Sequence, residues 1–478
     1  MIDERDMPAM SGLQLLDEDW ERQRRRGARR GVDGSHRDPS IDPTATSTSQ
    51  LLASIVAPGA AALRRVPFVA VALLLFGVVL PCAIAAIVVL NRDEIIGLAL
   101  DPTFLLAAIA IGGLAVVARF AAIAEVALAF RHSAGNAMRT TIAVAAVVVL
   151  ASPVVWGVTQ AAGARSAVSD VFASGGSDPL FDPANDGTLD PSTVTTPDGV
   201  TNILIFGGDA GPGRWGMRTD TMMLVTIDQA SGRTGLISIP RNLMRLQFPP
   251  GTPLADEFPN GFDDLANAVF THVNTNPELA AHYGSDGLQP EAVALSEALG
   301  YSLGVRVDDF ALVNMQGFTE VIDAVGGVTL ELGQSVPLPP SLPGERPLPP
   351  SIGPGLVDMD GALAIAYARS RSADSDYQRM GRQRQLLSAL GSQVSTSEAL
   401  RAFTTVTGVL DDSMRTSLSA GEFSDLLDRL GDNSAIRESV GLAPPLITPG
   451  SPDYTQIRSI VAAVQTAIVT DQPSGYAS

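Results

Sequence analysis

The sequence predicts an α/β domain placed behind three membrane-spanning helices. Two features of the chain carry this. After residue 200, nearly continuous apolar runs of strand length alternate with segments of helical period, as expected for a sheet buried on both faces. Before residue 160, three apolar stretches approach the length needed to cross a bilayer, about 20 residues. Composition changes at the same place: the first 160 residues hold 14 Arg and 14 Asp or Glu, and the remainder holds 18 Arg and 37 Asp or Glu, which accounts for the whole net charge of −19.

Residues 1–62 are polar, charged and rich in Ser, Thr and Pro, the composition of a disordered tail. The membrane region is expected over 63–160. Its spans are Val66–Leu90, Thr103–Phe130 and Thr140–Thr159; the second is interrupted by Arg119 and Glu125, so Arg119 must snorkel or face a neighbouring helix. The first apolar run begins too late and is too long for a signal peptide. Arginine placement sets the orientation. Arg22, Arg24, Arg25, Arg26, Arg29, Arg30, Arg64 and Arg65 precede the first span, and Arg131 and Arg139 lie in the second loop, so both belong in the cytoplasm. Three crossings then put the C-terminal half outside the cell. Residues 161–198 read as an extracellular linker, because Ser174–Pro197 is dense in Asp, Pro, Gly, Ser and Thr.

The main domain is expected over 199–395. Strands are predicted at Asn202–Phe206, Thr221–Asp228 and Gly235–Ile239, the last two joined by a hairpin turn at Gln229-Ala230-Ser231-Gly232. Helices follow over Asp263–Tyr283 and Pro290–Leu299. Strand Asp309–Asn314 leads to helix Gln316–Val325, which Gly326-Gly327 stops before strand Val328–Leu332. Val336–Pro354 is so rich in proline that it reads as a surface loop. Asp360–Ala368 and Tyr377–Gly391 read as helices. Residues 396–478, with helical patterns at Ser397–Asp411, Ser419–Leu430 and Tyr454–Val469, read as completion of the same domain.

Several chemistries are excluded. Cys82 is the only cysteine, so no internal disulfide and no thiolate metal site can form. The four histidines, His36, His132, His272 and His282, lack zinc spacing. No nucleophile elbow and no Walker loop occurs. An acidic domain is a poor partner for nucleic acid.

What remains is a set of arginines and aspartates near strand ends. Asp209 lies just past the first strand and Asp220 at the start of the second, so neighbouring strands would bring the two carboxylates to one ion. Magnesium binds through one or two carboxylates plus substrate phosphates. Each aspartate alone would be an ordinary turn residue. Arg218 shares a face with Asp220 in an extended chain, and Arg241 follows the third strand. Arg369 and Arg371 share a face if the chain is extended after its helix. Arg379, Arg382 and Gln383 lie about one helical turn apart. Any one arginine could be a solvated ion pair; Arg218, Arg241, Arg369 and Arg371 together call for an anionic partner. Guanidinium forks suit phosphate oxygens, so the set reads as a pyrophosphate site with Mg2+.

At these residues the chain resembles the LytR-CpsA-Psr (LCP) family of cell-wall glycopolymer ligases. The motifs are Asn202–Asp209, Arg218–Val225, Ile237–Arg241, Asp323–Val328, Tyr367–Arg371 and Asp374–Gln383, in that order. The resemblance implies an extracytoplasmic α-β-α domain with a central mixed sheet flanked by helices and an apolar groove for a prenyl tail. It implies a magnesium-dependent phosphotransferase that moves a glycan from a polyprenyl-pyrophosphate carrier to a peptidoglycan sugar hydroxyl. Asp209 and Asp220 match its metal-associated aspartates; Arg218, Arg241, Arg369 and Arg371 match its pyrophosphate-binding arginines; Arg379, Arg382 and Gln383 match the motif downstream. The expected partners are the lipid-linked glycan, peptidoglycan and the bilayer. Departures are Asn242 where the family usually has Asp, the segment Leu265-Ala266-Asn267 where a lysine-bearing motif is common, and three spans where most members have one. A polyprenyl-pyrophosphate hydrolase and a non-catalytic lipid-binding regulator are the competing readings. Retention of both aspartates and four arginines argues against the regulator.

Overall fold

The structure, a computed structural model, describes residues 71, 75–90, 101–130, 137–172, 178–183, 196–208, 219–284, 288–341, 346–371, 375–395, 413–430 and 436–477. The N-terminal tail, the start of the first predicted span, residues 173–177 and 184–195 of the predicted linker and the expected helix Ser397–Asp411 lie outside the described residues. So do Asp209 and Arg218. The chain divides into two compact units, one formed by Met1–Val79 with Ala115–Ser152 and the other by Leu80–Leu114 with Pro153–Ser478.

The N-terminal part is helical: a π-helical turn Leu75–Val79, α1 (Leu80–Leu90), α2 (Pro102–Phe130) and α3 (Ala137–Val171). Among the described residues, one helical segment, Thr103–Ala121, is long and apolar enough to cross a membrane, with mean hydropathy 2.2; Leu75–Ile87 is apolar but shorter. Arg119 donates from Nη2 to the Gly77 carbonyl at 3.3 Å. Helix α3 continues beyond the predicted end at Thr159. Its last turn packs Val168 and Val171, followed by Phe172, against Ile203, Ile227 and Leu418 of the domain that follows. The predicted linker also contributes to the fold, because Phe181 bridges to Val307 and is buried in the main core.

The domain is built from β1 (Val200–Gly208), β2 (Thr219–Asp228), β3 (Thr234–Ile239), α4 (Pro253–Glu257), α5 (Ala268–Thr275), α6 (Pro277–Tyr283), α7 (Pro290–Leu303), β4 (Asp309–Asn314), α8 (Met315–Ala324), β5 (Val328–Leu332), β6 (Val336–Pro337), β7 (Ser351–Ile352), β8 (Gly355–Met359), α9 (Gly361–Arg369), α10 (Asp376–Gln393), β9 (Met414–Thr416), α11 (Ala420–Leu430), β10 (Ile436–Gly441) and α12 (Tyr454–Thr470). The central sheet has six strands in the order β10-β3-β2-β1-β4-β9 and is mixed: β1–β2, β2–β3 and β4–β9 are antiparallel, while β1–β4 and β10–β3 are parallel. The predicted hairpin joins β2 to β3. It follows that the ends of β1, β3 and β4 and the start of β2 meet at one edge, which is where the site forms.

Strand alternation assigns the two faces. On β1, Leu204 and Phe206 enter the main core with Phe310 and Leu312 of β4 and the helices α5, α7 and α12. Ile203 faces the opposite way, toward α3 and α11. Ile205, Gly207, Ala311 and Val313 share that second face but border open space. A separate core joins β5 and β8 to α9 and α10, with Tyr367 and Leu386 at its centre.

Several elements differ from expectation. The predicted helix Asp263–Tyr283 is two helices. Asn276 ends α5 and caps α6, its side chain accepting from the Glu278 and Leu279 N–H groups, and Pro277 takes the first position of α6. The proline-rich segment is not wholly loop, since Val336–Pro337 pairs with Ser351–Ile352. Strands β8, β9 and β10 were not expected. They are short or carry charges, such as Arg415, Arg437 and Glu438, that break an apolar run.

Asp309 opens β4 beside Asp308 and Glu422. Burial raises its pKa to about 6, opposed by a hydrogen bond from Ser417 and assisted by the charges of Glu422 and Asp308. Its folded-state pKa lies above the unfolded value near 4, so the protonated form is favoured on folding. The associated stability is present below pH 4 and is lost as pH rises toward 6. Asp309→Asn is expected to flatten that dependence in urea melts and to stabilise the domain at pH 7 by about 1–2 kcal/mol, discounting for solvent screening. An unchanged pH profile would contradict this.

Candidate active site

The site begins with an irregularity in β2. Gly207 pairs with Thr221 and Gly208 with Thr219, which leaves Asp220 as the extra residue of a bulge. Bulges re-aim side chains, and here Asp220 and Thr221 both border the same cavity. The bulge depends on Gly207, because a Cβ there would come within 2.8 Å of Thr221 Cβ.

Three arginines converge on Asp220. Arg241, just past β3, donates from Nη1 to Asp220 Oδ1 at 2.7 Å. Arg371 Nη2 and Arg379 Nη1 stand 3.5 and 3.7 Å from Asp220 Oδ2. Arg379 Nη2 also donates to the Asp220 carbonyl at 2.9 Å. The same three arginines share a second carboxylate. Asp376 Oδ2 accepts from Arg241 Nε at 3.2 Å, and Asp376 Oδ1 lies 3.1 Å from Arg379 Nη2 and 3.6 Å from Arg371 Nη2. Sequence reasoning missed Asp376 as a site residue; its position three residues before Arg379, at the start of a helix, is the signal that would have found it.

The electrostatics follow from burial and these pairs. Burial alone would lower the pKa of Arg241, but the hydrogen bond and charge of Asp220, and then Asp376, raise it above the ordinary value. Arg379 is only 4 % exposed. Burial lowers its pKa, with Asp376 and Asp220 opposing the effect and Arg371 and Arg241 adding to it. Its Nε is buried without a hydrogen-bond partner. With Arg369, which borders the same cavity, four guanidiniums face two carboxylates among the described residues.

The remaining predicted residues take two kinds of position. Gln383 donates to Thr221 Oγ1 at 2.9 Å and borders the cavity, tying α10 to the bulge. Arg382 points to the other side of α10. It donates to the Ser370 carbonyl, lies 5.9 Å over the Tyr367 ring, and so holds the backbone between Arg369 and Arg371. Asn242 donates to the Tyr377 hydroxyl at 3.4 Å. Ala266 and Asn267 brace the turn that presents Arg241, through backbone bonds to Leu243 and Arg241. Asp323 accepts from the Gly361 N–H at 2.7 Å and anchors the start of α9.

Behind the charged mouth lies a cavity of about 440 Å3 between the second face of β1 and β4 and helices α8, α9 and α10. Its walls are apolar, with Val313, Phe318, Ile365, Leu386, Leu387 and Leu390 prominent. The volume is that of a small-molecule site. The arrangement suits an amphiphile, with an anionic head among the arginines and a hydrocarbon tail in the cavity.

Fold and site thus define an α/β domain with an anion-binding mouth over an apolar chamber. The chain belongs to the LytR_cpsA_psr family, whose profile matches residues 181–440. Similar proteins include Biofilm regulatory protein A of Streptococcus mutans serotype c (25% identical over 244 residues, covering 49% of this chain and 54% of that protein). Another is the polyisoprenyl-teichoic acid–peptidoglycan teichoic acid transferase TagU of Bacillus subtilis (25% over 241 residues, 50% and 66%). A third is the probable cell wall biosynthesis protein LcpB of Corynebacterium glutamicum (32% over 196 residues, 41% and 37%). The chain therefore matches from about a third to two-thirds of the length of these relatives. The crystal structure of B. subtilis TagV is similar at 21% identity and TM-score 0.40, over 58% of this chain and 99% of that one.

Removing one shared carboxylate leaves three guanidiniums facing one another. Asp376→Ala is expected to destabilise the domain by about 1–3 kcal/mol in urea unfolding, because buried Arg379 loses its nearest ion pair. A change within about 0.5 kcal/mol would show that Asp220 alone neutralises the cluster.

Proposed function

We propose that the chain is a membrane-anchored phosphotransferase that moves a glycopolymer from a polyprenyl-pyrophosphate carrier to a sugar hydroxyl of peptidoglycan. The observation that carries this reading is the arginine mouth opening directly onto the apolar cavity. A diphosphate diester carries two negative charges, which complement the excess positive charge of Arg241, Arg369, Arg371 and Arg379 over Asp220 and Asp376. Similarity to TagU, a polyisoprenyl-teichoic acid–peptidoglycan teichoic acid transferase, supports the same substrate class.

In this reading the acceptor hydroxyl attacks the phosphorus that bears the glycan. The bond to the bridging oxygen breaks, prenyl phosphate leaves, and a phosphodiester joins glycan to acceptor. Such a transfer needs positioning and charge stabilisation more than covalent chemistry from the protein. Arg241, Arg371 and Arg379 supply fixed donors to the oxygens on which charge accumulates, and the cavity holds the tail so that the diphosphate sits at the mouth. A carboxylate, either Asp220 at the mouth or Asp209, takes the proton of the attacking hydroxyl.

Mg2+ is part of the proposal. Among the described residues no group of three or more His, Cys, Asp or Glu side chains is placed to hold a metal. Asp220 alone fits the lesser demand of magnesium, one or two carboxylates completed by substrate phosphates. Arg241 hydrogen-bonds its Oδ1, while its Oδ2 is paired only at longer range. Asp220 would hold the ion with Asp209, and the ion would neutralise phosphate charge. The domain is proposed to lie outside the cell, behind three spans with the N-terminus in the cytoplasm.

The full chain reconstituted with lipid-linked glycan and peptidoglycan should yield phosphodiester-linked product only when magnesium is present. Asp220→Asn, which keeps the shape and removes the charge, is expected to lower product formation at least about 100-fold. Arg241→Lys should lower it about 10- to 100-fold, because the fork is lost. Release of prenyl phosphate without any linked product would favour the hydrolase instead.

A further inference from the structure

Two of the mouth's arginines, Arg369 and Arg371, flank a serine that faces away from it. Exposure alternates across the three residues: both arginines are exposed, and Ser370 is 1 % exposed. The chain leaves α9 at Ser370, where ψ is 130°. Arg369 and Arg371 border the apolar cavity, and Ser370 does not. The two guanidiniums are steadied unequally. Arg371 Nη2 stands 3.5 Å from Asp220 and 3.6 Å from Asp376. The guanidinium of Arg369 has no hydrogen bond and no ion pair among the described residues. A long side chain with no partner at its tip is aimed by its backbone alone.

That backbone is fixed at Ser370 from three directions. The Ser370 N–H donates to the Tyr367 carbonyl at 3.3 Å. Its own carbonyl accepts from Arg382 of α10. Its hydroxyl donates to the carbonyl of Pro337. Pro337 belongs to β6, the first strand of the proline-rich ribbon. The ribbon pairs Val336–Pro337 with Ser351–Ile352, and the Leu338 N–H donates to the Pro350 carbonyl at 2.9 Å. Val336, Leu338 and Ile352 seat it in the second core with Tyr367 and Ala368. Proline has a fixed φ, so the carbonyl that receives the Ser370 hydroxyl sits on a stiff, anchored strand. The proline-rich segment thereby reaches the charged mouth through one buried hydroxyl.

We propose that Ser370 is a positioning residue for phosphoryl transfer, its hydroxyl bond to Pro337 holding Arg369 and Arg371 on the diphosphate. The proposal rests on the phosphotransferase reading and deepens it. Arg369 depends on the clamp more than Arg371 does, because Asp220 and Asp376 still steady Arg371 when the clamp is lost. The chamber for the tail is walled by apolar side chains of α8, α9 and α10, such as Phe318, Ile365 and Leu386. Loss of the hydroxyl therefore weakens the grip on the head and spares the tail.

The test is isothermal titration of the full chain, at fixed micelle concentration, with farnesyl diphosphate and with farnesol. Ser370→Ala should weaken farnesyl diphosphate about tenfold or more, as expected for misplaced charge-assisted donors, and change farnesol affinity less than about twofold. A double-mutant cycle separates positioning from general damage. In an Arg369→Gln background, adding Ser370→Ala should cost no more than about a further threefold, since most of its effect passes through Arg369. Arg382→Gln, which releases the Ser370 carbonyl, should reproduce the pattern and serves as the test if Ser370→Ala folds poorly. Unchanged affinity for the diphosphate, an equal loss of farnesol, or an undiminished tenfold loss in the Arg369→Gln background overturns the proposal. If the parent protein itself binds the diphosphate no more tightly than farnesol, the phosphotransferase reading fails, and the role of Ser370 fails with it.

Discussion

Two carboxylates shared among three guanidiniums hold the mouth of this domain in shape. Asp220 comes from a bulge in β2, Asp376 and Arg379 from the first turns of α10, and Arg241 and Arg371 from two further points in the sequence. No two of these segments would hold their positions by local propensity alone. Ion pairs at partly buried positions are worth little in isolation, but a network in which each carboxylate meets three arginines fixes orientation. The cost is a buried arginine, Arg379, with one donor unmet. That residual demand is the kind of preorganisation an anion can satisfy on arrival.

The network also sets the relation between charge and hydrocarbon. Strand alternation sends Leu204, Phe206, Phe310 and Leu312 into the packed core and leaves Ile205, Ala311 and Val313 facing the cavity. Helix α10 serves both ends of that space: Arg379 and Gln383 reach the mouth, and Leu386, Leu387 and Leu390 line the depth. One helix thereby borders both the charged mouth and the apolar depth. Arg382, from the same helix, holds the Ser370 carbonyl, so α10 also sets the loop that carries Arg371.

Much of this was legible in the chain. Strands β1 to β5 were readable because their apolar runs are continuous and bounded by turn residues, and Asp220 and Arg241 were each readable as strand-end residues. Arg369, Arg371, Arg379 and Gln383 were readable as a set from their chemistry and spacing. Asp376 was not singled out, since an aspartate at a helix start has an ordinary reading as a dipole partner. The cavity wall was illegible for a deeper reason. Which face of β1 and β4 stays unfilled depends on where α8, α9 and α10 dock, and period-2 alternation cannot supply that. Strands β9 and β10 escaped because charges interrupt them, and the break at Asn276-Pro277 escaped because helical spacing runs on either side of it.

The most direct test of the central idea, that one ligand spans the charged mouth and the apolar chamber, is the dependence of affinity on chain length. Dissociation constants of the full chain would be measured by calorimetry for inorganic pyrophosphate and for dimethylallyl, geranyl, farnesyl and geranylgeranyl diphosphates. Head and tail acting together predict that affinity strengthens with each added isoprene unit until the cavity is filled and then levels off. Affinity independent of chain length, with pyrophosphate binding as tightly as any lipid, would contradict the account.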